Sequence, residues 1–267
     1  MTEQHPSRLR LGESDLSRTR RVVAIIPARY GSQRFPGKPL ADIDGKPMVQ
    51  HVYEQTGRAA LVDAVIVATD DERIASAVRA FGGHAVMTPH SLHTGTDRVA
   101  WVARSLDDAE IVLNVQGDEP LIAPEMIDEA VRPLILDREI MVGTLIHRIE
   151  TIEELHSPNV IKVVTDATGY ALYFSRLPIP YARDVQRTDV LNHQTFYKHI
   201  GLYVFRKNFL LRFPDMRQTP LELLEKLEQL RVLEHGYKIK ATVTAYDSIP
   251  VDTQEDLDKV RAMIQNK

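Results

Sequence analysis

The chain has no cysteine among its 267 residues and only one tryptophan. Disulfides, thiolate metal sites and cysteine nucleophiles are therefore excluded. The lack of cysteine suits a reducing compartment, and a cytoplasmic location is the expectation. No apolar run approaches the ~20 residues of a membrane helix, so no membrane partner is expected. Neither sign of charge dominates: the net charge is −4. A broad nucleic-acid surface is not expected, and any polyanion site must be a local cluster. Hydrophobic residues make up 43% and charged residues 26%, an ordinary composition for a chain that buries a core. The length suits one large α/β domain, or one domain with a sub-domain.

Residues 1–21, MTEQHPSRLRLGESDLSRTRR, are polar and arginine-rich. They lack the apolar centre of a secretory signal and read as a disordered extension. From residue 22 apolar runs alternate with helical patterns. VVAIIPA (22–28), AVIVATD (64–70), HAVMT (84–88) and IVLNVQGDEP (111–120) read as strands. Residues 46–60, 71–83 and 94–106 read as helices, as does APEMIDEAVRPLIL, interrupted by Pro133. Such alternation predicts βαβ units and a mostly parallel sheet, with ligands beyond the C-terminal strand ends. The polar tips 28–38, 69–71 and 116–119 should share that edge.

The second half is β-rich. Residues 161–206 read as a sub-domain of a single domain spanning 22–267, with Asp166–Gly169 as a hairpin turn. TPLELLEKLEQLRVLEHG (219–236) reads as one helix with a capping box of Thr219 and Glu222. KIKATVTA is a late strand, and Thr253 caps a final helix.

The loop after the first strand, ARYGSQRFPGKPL, carries three cations, Arg29, Arg34 and Lys38. It is not a P-loop, because five residues separate Gly31 from Gly37 and Pro39 follows the lysine. It has no G-x-G-x-x-G fingerprint. Two readings remain: a cradle for a polyphosphate, with backbone donors near Gly31, or a solvated basic turn.

The stretch VAIIPARYGSQRFPGKPL resembles the opening signature of the sugar-acid cytidylyltransferases. IVATDDERIA, HTGTDRVA, NVQGDEPLI, KVVTDATGYALYFSR, KHIGLYVFR, PLELLEKLEQLRVLEHG and VDTQEDL extend the resemblance over residues 22–265. Residues 31, 33 and 35 depart from the commoner Ala, Thr and Leu. The resemblance implies a Rossmann-like nucleotide-diphospho-sugar transferase fold and the transfer of CMP from CTP to a sugar acid. The implied acceptor is 3-deoxy-manno-octulosonate, for lipopolysaccharide biosynthesis, with an amino variant or a sialic acid as the alternative. The implied cofactor is Mg²⁺, and the implied assembly a homodimer with contacts in 161–206.

Residue by residue, the resemblance puts Arg29 and Lys38 on the phosphates, aided by Ala28, Gly31, Ser32 and Arg34. It makes Asp118 and Asp252 the metal ligands, all four of Arg29, Lys38, Asp118 and Asp252 being catalytic. Asp118 equally suits a turn before a helix, and Asp252 a helix start. Thr94, Gly95, Thr96 and Arg98 would read the base, with Asp70 in the same pocket. Gln116 would face both substrates, with Glu119 a weaker candidate. Arg176, His199, Tyr203, Glu222 and Gln229 would hold the sugar acid. Glu222 also has its capping box, and a histidine on an apolar strand is often structural. Gln229, two helical turns beyond Glu222, would share its face.

Overall fold

The computed structural model describes residues 21–31, 35–186 and 189–265. The expected disordered extension lies outside them up to residue 20. In chain order the first half runs β1 (Arg21–Ala28), β2 (Asp42–Ile43), β3 (Lys46–Pro47), α1 (Met48–Gly57), β4 (Ala64–Thr69), α2 (Glu72–Ala80), β5 (Ala85–Met87), α3 (Gly95–Ala103), β6 (Ala109–Asn114) and α4 (Pro124–Leu136). The second half runs β7 (Val142–Arg148), α5 (Ile152–His156), β8 (Lys162–Thr165), β9 (Ala171–Ser175), α6 (Val190–His193), β10 (Tyr197–Arg206), α7 (Lys207–Arg212), α8 (Pro220–Glu225), α9 (Gln229–Glu234), β11 (Ile239–Thr244) and α10 (Gln254–Gln265).

The main sheet has the order β11-β7-β10-β6-β1-β4-β5, and the β8–β9 hairpin joins it at β10. β1 is parallel to both β4 and β6, β4 to β5, and β11 to β7, whereas β10 runs antiparallel to β6 and β7. The strand pattern explains this arrangement. On β1, Val23 and Ile25 enter one core, while Val22, Ala24 and Ile26 enter the other. A strand buried on both faces needs an unbroken apolar run, which is what residues 22–28 supply. α3, α7 and α9 cover the first face, and α1, α2 and α4 the second. A third, smaller cluster joins Ile43 and Met48 to Val251, Leu257 and Val260 of the chain's last segment.

Three expectations change. β6 stops at Asn114, and residues 115–122 turn away rather than extend the strand. Pro133 does not interrupt α4: it sits in the last turn, where Val131 and Leu134 are fully buried and hold the helix in place. Residues 219–236 are not one helix. Lys226 adopts the left-handed conformation (φ 55°) and separates α8 from α9. Of the expected capping box, the Glu222 half is made, the Thr219 N–H donating to Glu222 Oε2 at 3.3 Å, whereas the Glu222 N–H donates to Glu234 Oε2 at 3.4 Å.

β1, β4 and β6 end on the same edge of the sheet, because all three run parallel. β11 is parallel to β7 and pairs Thr244 with His147. Beyond it, residues 245–253 cross the edge without regular structure before α10.

Candidate active site

A cleft of about 350 Å³ opens at that edge. It is lined by Pro27, Ala28, Arg29 and Gly31 after β1, by Lys38 and Pro39, by His93 and Gly95 at the start of α3, and by Gln116, Gly117 and Asp118 after β6. Lys38 follows Gly37, whose φ of 74° suits glycine. The Gly37 N–H donates to the Tyr30 carbonyl at 2.9 Å. This closes the loop at its base and starts a 3-10 turn at Lys38. Ser32 and Arg34 lie outside the described residues.

The Lys38 ammonium donates to Asp118 Oδ2 at 2.6 Å and to Asp252 Oδ1 at 3.4 Å. One cation thus joins carboxylates from the β6 turn and from the segment after β11. Arg29 donates to the Leu92 carbonyl while facing the cleft. Gly117 follows from close approach: a Cβ there would lie 2.9 Å from the Pro27 carbonyl oxygen. The turn after β6 therefore passes tightly over the end of β1. Gln116 donates to the Gly201 carbonyl at 3.2 Å, tying this turn to β10. Glu119 is buried behind it and accepts from the Ser248 hydroxyl at 2.8 Å. Burial, and then the neighbouring Asp118 charge, push the Glu119 carboxyl up to about 7.

The nucleotide set divides. Thr94 caps α3 in a capping box with Asp97, and Gly95 lines the cleft. Thr96 turns inward: its hydroxyl donates to Glu228 and accepts from Asn114 Nδ2 at 3.3 Å. Arg98 is fully buried, donating to Thr88 and, at 2.9 Å, to Asp70. Asp70 and Arg98 thus form a pair behind the cleft and are absent from its lining. Burial lowers the Arg98 pKa, and the Arg29 charge adds to that effect.

The sugar-acid set divides as well. Tyr203 and Gln229 meet beside Thr96 and Glu228 around a small cavity. The first turn of α3 serves both places, with Gly95 on the cleft and Thr96 on the cavity. Burial, and then the Glu228 carboxylate, hold the Tyr203 hydroxyl well above its ordinary range. Burial also raises Glu228, against hydrogen bonds from Thr96 and Thr94.

Glu222 is elsewhere. Its carboxylate takes the Arg231 guanidinium in both oxygens, at 2.9 and 2.5 Å, besides accepting from the Thr219 N–H at 3.3 Å. The break at Lys226 is the reason: it separates Glu222 from Gln229, and Glu228 lines the cavity with Gln229 instead.

Arg176 spends its guanidinium on backbone carbonyls, Glu225 at 2.7 Å and Pro158 at 2.9 Å. His199 keeps some exposed surface, yet its ring lies 5.2 Å from those of both Phe174 and Tyr203. This desolvation pushes the imidazole down to about 3. The Thr144 hydroxyl has one proton and faces the carbonyls of Leu202 at 2.8 Å and Ile200 at 3.2 Å. The 2.9 Å contact from His199 Nε2 is therefore an imidazole N–H donating to Thr144.

Pro27, His93, Gly117 and Glu228 were missed in the sequence. His93 and Gly117 lie inside motifs already singled out, HTGTDR and NVQGDEP. Only the path of the turns shows that they face the cleft.

The sequence model of the cytidylyltransferase family matches residues 23–239. The 3-deoxy-manno-octulosonate cytidylyltransferase of Geotalea uraniireducens is 61% identical over 90% of this chain and 97% of that protein. That of Geobacter metallireducens is 60% identical, with 90% and 96% covered. A solved CMP:2-keto-3-deoxy-manno-octonic acid synthetase, complexed with CTP, superposes with a TM-score of 0.86 at 42% identity, covering 92% of this chain and 99% of that one. Sequence, family and fold agree: the chain belongs to the cytidylyltransferase family of nucleotidyltransferases, among the 3-deoxy-manno-octulosonate cytidylyltransferases.

Proposed function

We propose that this chain transfers CMP from CTP to the anomeric hydroxyl of 3-deoxy-manno-octulosonate, releasing pyrophosphate. The observation that carries the reading is the Lys38 ammonium held by Asp118 and Asp252 in a cleft at the C-terminal strand ends. That is where ligands bind in open α/β sheets. The hydroxyl oxygen forms a bond to the α-phosphorus as its proton passes to solvent water, while the bond from that phosphorus to the bridging oxygen breaks and pyrophosphate leaves with that electron pair. Such transfers depend on positioning and on neutralising charge. Arg29 and Lys38 supply two cations toward the phosphates.

Asp118 and Asp252 fit a divalent cation, since both already place an oxygen on one positive group. Among the described residues no cluster of three or more metal-ligating side chains exists. The set suits Mg²⁺, which takes one or two carboxylates and completes its shell with phosphate oxygens and water. When bound there, Mg²⁺ supplies charge neutralisation on the pyrophosphate and lowers the pKa of the attacking hydroxyl.

The Tyr203–Glu228–Gln229 group, with His199 next to it, is the proposed sugar-acid side. Homodimerisation is part of the same reading. Leu172 and Leu177 by β9, and Leu223 and Leu224 on α8, are large exposed apolar side chains. These elements are tied together by Ser175 donating to Glu225 at 2.8 Å. A cytoplasmic enzyme serving lipopolysaccharide biosynthesis completes the proposal. Among the described residues no helix is long and apolar enough to cross a membrane.

The test is pyrophosphate release from CTP and Mg²⁺ with a single acceptor per reaction. The acceptors are 3-deoxy-manno-octulosonate, its 8-amino variant, N-acetylneuraminate and a hexose 1-phosphate. Release with the first alone is expected. Release with only the amino variant or the sialic acid would keep the chemistry and overturn the acceptor.

A further inference from the structure

Asp118 and Asp252 both lie in irregular segments, Asp252 just before α10, where its N–H donates to Asp256 Oδ2 at 3.2 Å. Their separation is fixed by whatever joins the turn 116–119 to residues 245–253. Two bonds do so. The Val251 N–H donates to the Asp118 carbonyl at 2.8 Å. The Ser248 hydroxyl donates to Glu119 Oε2, also at 2.8 Å. Adjacent residues of the turn therefore hold two points of the facing segment, three residues apart. A single bond would leave the segment free to pivot, whereas two set its direction.

The segment is anchored on its far side as well. Lys198 of β10 donates to Asp247 at 2.8 Å and also to Glu154. Val251 is fully buried in the third apolar cluster. Ser248 lies between these anchors, next to Ile249, which packs against the same cluster, and its acceptor is 6% exposed. Neither Glu119 nor Ser248 lines the cleft.

We infer that Glu119 and Ser248 are positioning residues, whose hydrogen bond sets the gap between Asp118 and Asp252 for one divalent cation on the nucleotide. The inference rests on the metal reading proposed for those two carboxylates. It requires the Glu119 side chain as an acceptor, so Glu119→Gln, which keeps an oxygen, should substitute for it. Ser248→Thr likewise keeps the hydroxyl.

The experiment titrates Mn²⁺ into the full chain with saturating CTP, reading bound metal by electron paramagnetic resonance and checking thermal unfolding of each protein. Ser248→Ala and Glu119→Ala are expected to weaken Mn²⁺ binding about 3- to 10-fold, the worth of one hydrogen bond. Ser248→Thr and Glu119→Gln should stay within about 2-fold of the wild type on the same scale. CTP affinity without metal should be unchanged in all four.

Asp118→Asn and Asp252→Asn are measured alongside. If they lose the metal while Ser248→Ala and Glu119→Ala bind it normally, the positioning role is overturned and the metal site stands. If the alanine variants only lower the unfolding temperature, with metal affinity intact, the bond is merely structural and the inference again fails. If the asparagine variants bind Mn²⁺ like the wild type, the metal reading falls and takes this inference with it.

Discussion

Lys38 and its two carboxylates show how a site is assembled from distant residues. Lys38 lies 80 positions from Asp118 and 214 from Asp252, yet the ammonium reaches both. The three groups could be named from the sequence because each stands in a quoted motif. Their mutual contact could not, because it depends on the folding of two irregular segments. Glu228 escaped for a different reason. Counting helical turns from Glu222 assumes an unbroken helix, and a left-handed Lys226 gives no signal in the residue's type. His199 carries a prediction at this scale. Its folded-state pKa is depressed to about 3 by burial among Phe174 and Tyr203. The stabilisation this reflects is complete above the unfolded imidazole's ordinary value and is lost as the pH falls through that range toward the folded pKa. Denaturant unfolding at pH 7.5 and pH 4.5 (roughly above and within this window) should show a smaller loss for His199→Gln than for the wild type. Equal losses would show that His199 does not drive acid destabilisation.

At the level of elements, the strands were legible and the turns were not. An apolar run such as 22–28 has one stable use, a strand buried on both faces, and β1 feeds both cores as expected. α3 was legible too, as the helix read over 94–106; its capping box of Thr94 and Asp97 came only with the structure. β6 was over-extended, because Val115 is apolar and fully buried although it lies past the strand's end. The turn that follows depends on Gly117. Placing a Cβ 2.9 Å from the Pro27 carbonyl forces that turn, and Asp118 with it, to shift. Gly117→Ala is expected to cost about 1–3 kcal/mol of stability, as overpacking does. Turnover should fall further than the lost stability explains. Wild-type unfolding and wild-type turnover together would show that the turn accommodates the methyl group.

For the whole molecule, sheet topology decides where chemistry can occur. The parallel strands β1, β4 and β6 direct their following loops to one edge, and β11 returns the chain to it. The fold class followed from strand–helix alternation together with the family resemblance. The antiparallel insertion of β10 between β6 and β7 did not, since a lone strand's direction leaves no mark on its composition. The exposed leucines of β9 and α8 belong to this scale. Sedimentation equilibrium should give a mass twice that of the chain. Leu172→Lys combined with Leu224→Lys should shift it to that of one chain without loss of circular dichroism. A wild-type protein that sediments as a monomer would remove the proposed dimer.

The transfer is assigned to the cleft lined by Lys38 and Asp118, with Asp252 reached by the same ammonium. The measurement that reaches it most directly is pyrophosphate release from CTP, Mg²⁺ and 3-deoxy-manno-octulosonate. It compares the wild type with Lys38→Ala and Asp118→Asn, each first shown to be folded. Turnover is expected in the wild type, with a loss of at least ~10²-fold in each variant, the scale for removing a group that stabilises transition-state charge. Folded variants that release pyrophosphate at the wild-type rate would contradict the assignment.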